Sequence, residues 1–93
     1  MHHIVLLERD SIRAVVRRPT FPHTWDEYPL TRSEELADRL EKATIAVTNK
    51  VRLGGGLLAR LPCLRLIAGA ATGTDNIALE YCRNIGIAVA NLR

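Results

Sequence analysis

The chain has 93 residues, of which 47% are hydrophobic and 25% are charged, and its formal net charge is +3. A chain of this length fits one small domain that buries about 60% of its unfolded surface, which excludes a second domain. No apolar run reaches the roughly 18 residues of a membrane span, and the apolar start lacks the cationic region and cleavage site of a secretory signal. We therefore expect a cytoplasmic protein with no membrane partner.

The basic residues are scattered, and Asp or Glu lies near most of them. The densest basic group, Arg13, Arg17 and Arg18, has no aromatic neighbours at stacking spacing, which favours a solvated surface over a nucleic-acid site. Cys63 and Cys82 match neither a CxxC motif nor a zinc pattern, so we expect both to be reduced and packed. The composition predicts no nucleic-acid partner and no metal site.

The first apolar run, residues 4–7, is short and continuous, which is typical of a strand covered on both faces by helices. Three prolines, Pro19, Pro22 and Pro29, interrupt the next stretch and leave room for one short extended piece near residues 24–28. Three of the four Phe, Trp and Tyr residues lie in this stretch. We expect these three aromatic side chains to form a small core of their own.

A capping pattern at residues 31–35 precedes apolar residues at helical spacing and predicts a helix that faces the core. Residues 45–48 predict a second buried strand. Leu57, Leu58 and Leu61 predict a short helix, which three preceding glycines should delay or fray at a cost of about 1 kcal/mol each relative to alanine. Further elements follow at residues 64–68 (strand), 77–85 (helix, ended by Gly86) and 87–90 (strand). Alternating strands and helices predict an α/β fold with a parallel sheet and right-handed crossovers.

Two segments at the carboxyl edge of this sheet are candidates for ligand binding. Asn49 and Lys50 directly follow the second buried strand, where open α/β sheets bind their ligands. A turn asparagine and a solvated lysine explain the same position equally well. Residues 66–76 run from an apolar strand through a turn of small residues into a helix start, a layout that suits the binding of a carboxylate or phosphate by backbone amides.

Five stretches together resemble a known family. They are residues 21–28 (FPHTWDEY), 48–51 (TNKV), 58–62 (LARLP), 70–76 (AATGTDN) and 86–91 (GIAVAN). In this order they resemble the amino-terminal region of the D-isomer-specific 2-hydroxyacid dehydrogenases, and within that family the glycerate dehydrogenase (hydroxypyruvate reductase) branch. The resemblance covers essentially the whole chain.

Members of that family join a flavodoxin-like substrate-binding domain to a Rossmann domain that binds NAD. The resemblance implies that residues 1–93 form the amino-terminal portion of the substrate-binding domain, an incomplete flavodoxin-like parallel sheet with flanking helices and no Rossmann domain. It also implies that the backbone amides of Thr72 and Gly73 bind the carboxylate of a 2-oxo or 2-hydroxy acid, with Ala71 beside them in the substrate site. Asn49 and Lys50 would line the cleft.

By the same resemblance, the catalytic arginine, histidine and acidic residue of the family fall outside this chain. No G-x-G-x-x-G motif occurs in it, so we expect neither a catalytic residue nor an NAD site, and no turnover by this chain alone. Apolar surface without its usual neighbours favours a homo-oligomer. The competing hypothesis is a freestanding flavodoxin-like module that binds a partner or a small ligand and has no enzymatic activity.

Overall fold

The computed structural model describes residues 2–9, 20–49, 51–69 and 79–91. Within these residues, five strands form one parallel sheet in the order β2-β1-β3-β4-β5. This is the strand order of the flavodoxin-like fold, and it confirms the predicted α/β class. The strands are β1 (His2–Leu6), β2 (His23–Glu27), β3 (Ile45–Thr48), β4 (Leu66–Gly69) and β5 (Ala88–Asn91).

Three α-helices lie between these strands in the described part of the chain. A 3-10 helix, Ser33–Glu35, leads into α1 (Leu36–Leu40), and α2 (Gly55–Leu58) and α3 (Leu79–Ile85) follow. The predicted capping is present in part: the Arg32 amide donates to Glu35 Oε1 over 2.9 Å, whereas the N-cap residue, Arg32, makes no side-chain capping bond. None of the helices described here is long and apolar enough to cross a membrane.

The sheet buries apolar side chains on both faces, because successive residues of a strand point to opposite sides. Val5, Ala46 and Ile67 pack with the buried side chains of α1, α2 and α3 in one cluster. Ile4, Leu6, Val47 and Ala68 form a second cluster on the opposite face. Burial of each large aliphatic side chain stabilises the fold by about 1.5–3 kcal/mol, so the central strands β1, β3 and β4 hold the molecule together.

The predicted aromatic core is wrong. Trp25 packs against the second cluster, whereas Tyr28 packs against the first. Phe21 is 42% exposed, and its ring contacts His23 edge-on with 6.0 Å between the ring centroids. The physical reason is the position of β2 at the edge of the sheet, where side chains have neighbours on one side only.

The segment around α2 differs from the prediction, whereas α3 ends as predicted. Helix α2 begins within the three glycines, since the Leu58 amide donates to Gly54 O over 3.0 Å. A Cβ on Gly55 would lie 3.3 Å from Cδ2 of Tyr81 in α3, so the absence of a side chain allows the two helices to approach closely. Gly86, with a φ of 82°, ends α3, where the Ile87 amide donates to Cys82 O over 2.9 Å.

Candidate functional site

The candidate site lies at the carboxyl edge of the sheet, between β1 and β3. From β1 the chain goes first to β2 on one side and later to β3 on the other, so this edge is the point where the direction of sheet growth reverses. In open α/β sheets, ligands bind in the crevice outside the strand ends at such a point. The residues that leave β1 and β3 here are therefore the ones to compare with the predicted site.

Backbone bonds to both neighbouring strands hold the exit of β1. The Leu7 amide donates to Val47 O over 2.9 Å, and the Arg9 amide donates to Tyr28 O over 2.9 Å. Thr31 Oγ1 donates to Leu7 O over 2.7 Å. Glu8 lies between these anchored positions, so its backbone is held on each side.

Glu8 is the central polar side chain of this edge. It is 7% exposed, although it is a charged residue, and Thr48 beside it is 0% exposed. Oε2 of Glu8 accepts hydrogen bonds from Thr48 Oγ1 at 3.0 Å, the Asn49 amide at 2.6 Å and the Val51 amide at 3.1 Å. Bonds to an ionised acceptor are stronger than neutral ones, and several are needed to keep a carboxylate away from water. This set of bonds joins the end of β1 to the turn after β3.

Of the predicted site residues, the structure places Asn49. Asn49 is half-buried, lies at the predicted edge and donates its backbone amide to Glu8. The others, Lys50, Ala71, Thr72 and Gly73, lie outside the described residues. Gly69, the last residue of β4, pairs with Thr48 in the sheet register, so the chain leaves β4 beside the end of β3.

Sequence reasoning missed Glu8. A single glutamate between a strand and Arg9 is typical of a solvated charge, and no motif marks it. The feature that could have indicated Glu8 is its position in the sequence. Glu8 follows an apolar run at the same sheet edge as the polar sequence Thr48 and Asn49, so its side chain could be expected near that turn.

Within residues 2–9, 20–49, 51–69 and 79–91, the remaining ionisable groups give no second candidate site. The structure shows no group of three His, Cys, Asp or Glu side chains that could hold a metal ion among the residues it describes. His3 Nε2 lies 3.2 Å from Asp26 Oδ2 near the start of β1, at the end of that strand opposite to Glu8.

The two cysteines are free, and one of them differs from its prediction. Cys82 is buried as expected, and burial raises the pKa of its thiol. Cys63 is exposed, so the prediction that it is packed is wrong. It lies in the turn after α2, where the apolar residues Leu61 and Leu64 occupy the core positions.

The chain is similar in sequence to a known dehydrogenase. The chain is 45% identical over 91 residues to a glycerate dehydrogenase of Methylorubrum extorquens, an alignment that covers 97% of this chain and 29% of that protein. The chain thus spans less than a third of the length of this relative.

Solved structures show the same fold. A 3-phosphoglycerate dehydrogenase of Entamoeba histolytica with bound NAD+ matches with a TM-score of 0.74 over 97% of this chain and 32% of its own, at 16% identity. A D-lactate dehydrogenase of Aquifex aeolicus, in complex with NAD and lactic acid, matches with a TM-score of 0.69 over 98% of this chain and 28% of its own, at 21% identity.

A sequence profile of one family covers nearly the whole chain. The profile of the "D-isomer specific 2-hydroxyacid dehydrogenase, catalytic domain" matches residues 5–93. This range includes the anchored exit of β1, the turn after β3 and all later described elements. The chain belongs to the D-isomer-specific 2-hydroxyacid dehydrogenase family and matches its catalytic domain.

Proposed function

We propose that this chain is the substrate-binding part of an NAD-dependent dehydrogenase that interconverts glycerate and hydroxypyruvate. The observation that carries the proposal is the 45% identity over 91 residues to a glycerate dehydrogenase. The structure supports it through the position of the Glu8 and Asn49 contact at the reversal point of the sheet, where ligands of this architecture bind.

In this proposal the chain binds and orients the substrate carboxylate. The backbone amides of Thr72 and Gly73 bind the carboxylate, Ala71 lies beside them in the substrate site, and Asn49 and Lys50 line the cleft. The pairing of Gly69 with Thr48 supports this arrangement, since it brings the end of β4 beside the turn that contains Asn49. The ammonium group of Lys50 adds a charge opposite to that of the substrate.

The chemistry itself would need groups beyond these residues. Reduction of hydroxypyruvate adds a hydride from NADH to the carbonyl carbon and a proton to the carbonyl oxygen, giving glycerate and NAD+. The sequence has no G-x-G-x-x-G motif for the dinucleotide. We therefore propose that the 93-residue chain does not oxidise NADH with hydroxypyruvate by itself. A measurable loss of NADH absorbance that scales with the concentration of the purified chain would contradict this.

An amide-resolved NMR titration tests the binding role directly. We expect hydroxypyruvate and glycerate to cause saturable shifts at residues 49–50 and 71–73. Hydroxyacetone, which lacks the carboxylate, is the matched control and should cause none. Equal shifts with hydroxyacetone, or no shifts with either acid, would refute the substrate-binding role and favour a freestanding interaction module.

Two lysines provide a matched pair of variants for the same titration. Lys50→Met should weaken hydroxypyruvate binding by about tenfold or more, because a charge-assisted contact is lost. Lys42→Met removes an exposed lysine just after α1 and should leave the affinity unchanged. Equal affinities for the two variants would remove Lys50 from the site.

We further propose that the chain forms a homo-oligomer through the groove between α2 and α3. Leu58 and Leu61 form the buried floor of this groove, and Tyr81 and Ile85 line it, of which Ile85 is 46% exposed. Burial of such a surface against a second copy is favourable. Ile85→Glu should lower the mass measured by light scattering at high concentration, whereas Leu30→Glu, at an exposed position outside the groove, should not. A monomeric wild-type chain would contradict the proposal.

A further inference from the structure

The turn after β3 has the geometry of an anion-binding site, and the carboxylate of Glu8 occupies it. The backbone amides of Asn49 and Val51 and the hydroxyl of Thr48 all donate to one oxygen, Glu8 Oε2, at 2.6, 3.1 and 3.0 Å. Neighbouring amides that converge in a turn form a concave site for negative charge. Here a side chain from the neighbouring strand fills that place.

We propose that Glu8 is a positioning residue whose carboxylate takes the place of a bound anion in the turn after β3 and thereby holds Asn49 in position for the substrate. This inference rests on the proposed function for the role of Asn49. The hydrogen bonds from the Asn49 and Val51 amides attach this turn to Glu8 at two points.

The position of Glu8 just after β1 makes this arrangement rigid. The Leu7 amide is bonded to Val47 O, and the Arg9 amide is bonded to Tyr28 O, so the backbone on both sides of Glu8 is held by neighbouring strands. A carboxylate that is already attached to the sheet loses little freedom when it binds the turn. Free anions should therefore not displace it.

Because Glu8 occupies the turn after β3, the amides of that turn are not available to a substrate. The Asn49 and Val51 amides donate to Glu8, so a substrate carboxylate must find its backbone donors elsewhere. The turn then contributes its side chains to the site. Glu8 thus fills the anion-binding place of this turn from within the chain.

Amide hydrogen exchange and chemical rescue test the anchoring in the absence of substrate. In Glu8→Ala, we expect faster exchange and shifted resonances for the Asn49 and Val51 amides. Added acetate should move both resonances back toward their wild-type positions with saturation, and acetamide, its neutral analogue, should not. The control variant Glu41→Ala removes an exposed carboxylate and should leave both amides unchanged. Unchanged amides in Glu8→Ala, or rescue by acetamide as strong as by acetate, would overturn the proposal.

Substrate affinity tests the positioning. Hydroxypyruvate should bind Glu8→Ala roughly tenfold more weakly than wild type, which is the lower end of the loss seen when residues that orient metal ligands are removed. Glu8→Gln keeps an acceptor oxygen at the same reach but loses the negative charge, so it should recover only part of this loss. If Glu8→Ala does not fold, the same exchange and affinity measurements on Glu8→Gln must show an intermediate effect. Wild-type affinity in a variant whose Asn49 and Val51 amides exchange faster would overturn the positioning role.

The two tests fail separately. Lack of hydroxypyruvate binding by the wild-type chain would refute the proposed function and with it the positioning role. The amide exchange and the acetate rescue would still decide whether Glu8 holds the turn.

Discussion

Two threonine hydroxyls on opposite sides of β1 bond to ionisable side chains, and the two places differ in exposure. Between β1 and β3, Thr48 donates to Glu8, and both residues are buried. Between β1 and β2, Thr24 is bonded to His3, which also pairs with Asp26, and the His3 and Asp26 side chains are 27% and 50% exposed. Water can replace a lost partner in the second place but not in the first. Loss of the Thr48 hydrogen bond should therefore lower the free energy of unfolding, whereas loss of the Thr24 hydrogen bond should hardly change it.

The largest expected difference between a buried and an exposed group is in the alkylation rates of the two cysteines. We expect iodoacetamide to alkylate exposed Cys63 roughly a thousandfold faster than buried Cys82 in the folded chain, because access to Cys82 needs an opening that costs several kcal/mol. Mass spectrometry at pH 8, with Cys63→Ser as the control, measures both rates. Comparable rates in the folded chain would contradict the burial of Cys82.

Burial also predicts the pH dependence of Cys82. Burial raises the pKa of its thiol in the folded state, so the unfolded chain loses the proton first. The contribution of this thiol to stability is complete below the unfolded value of about 8.5 and is lost as the pH rises through the folded pKa. Urea unfolding of the wild type should show a decline in this alkaline range that Cys82→Ala lacks.

Matched threonine variants test the comparison directly. Thr48→Val keeps the shape of the side chain and removes one donor from a buried carboxylate, so we expect the free energy of unfolding to fall by about 2 kcal/mol. For a domain of this size that corresponds to a decrease in Tm of about 10 °C. Thr24→Val should change the free energy by less than about 0.5 kcal/mol. Equal losses in calorimetry would show that exposure does not separate the two places.

Arg39 should give an intermediate effect, because it is half-buried. Its guanidinium donates to Thr31 Oγ1 over 2.7 Å and to Glu35 over 2.9 Å, and it lies 3.9 Å from the ring centroid of Tyr28. A lysine cannot make these planar contacts together, so Arg39→Lys should cost about 1 kcal/mol. Urea unfolding should find Arg60→Lys, at an exposed position, unchanged. An equal cost at both positions would contradict a special role of Arg39.

The exposed pair near the start of β1 should have the smallest effect. Asp26→Asn removes the charge opposite His3 and keeps the shape of the side chain. Exposed ion pairs contribute about 0–1 kcal/mol, so we expect a loss below about 0.5 kcal/mol that shrinks further in 1 M salt. A loss as large as that of Thr48→Val would overturn the comparison.

Much of the fold follows from short apolar runs in the sequence. Residues 45–48 predict β3 with the observed bounds, because this strand is apolar and is bounded by polar residues. Residues 64–68 predict β4 two residues too early, since Leu64 is a buried core residue whose amide donates to Leu61 O in a turn. An apolar residue in the sequence indicates burial, but a buried residue in a turn is as apolar as one in a strand, so the pattern does not distinguish them.

The candidate site was less predictable than the fold. Asn49 follows from its place after β3, but the partners of Glu8 include two backbone amides, and backbone amides leave no trace in a pattern of side chains. Only the parallel register that aligns the ends of β1 and β3 brings Glu8 to this turn. Contacts between a side chain and backbone distant in the sequence are therefore the part of the site that only the three-dimensional structure reveals.

The close approach of Gly55 to Tyr81 has a consequence for which sequence changes this protein tolerates. Gly54 and Gly56 have open space where a side chain would begin, whereas a side chain at residue 55 would meet the Tyr81 ring. In a library that randomises all three positions, selection for folded chains should enrich alanine at residue 56, where helix propensity improves by up to about 1 kcal/mol. Residue 54, which precedes the helix, should accept serine or aspartate. At residue 55 a Cβ requires the Tyr81 ring to shift by a few tenths of an ångström, so glycine should be retained there more often than at residues 54 and 56.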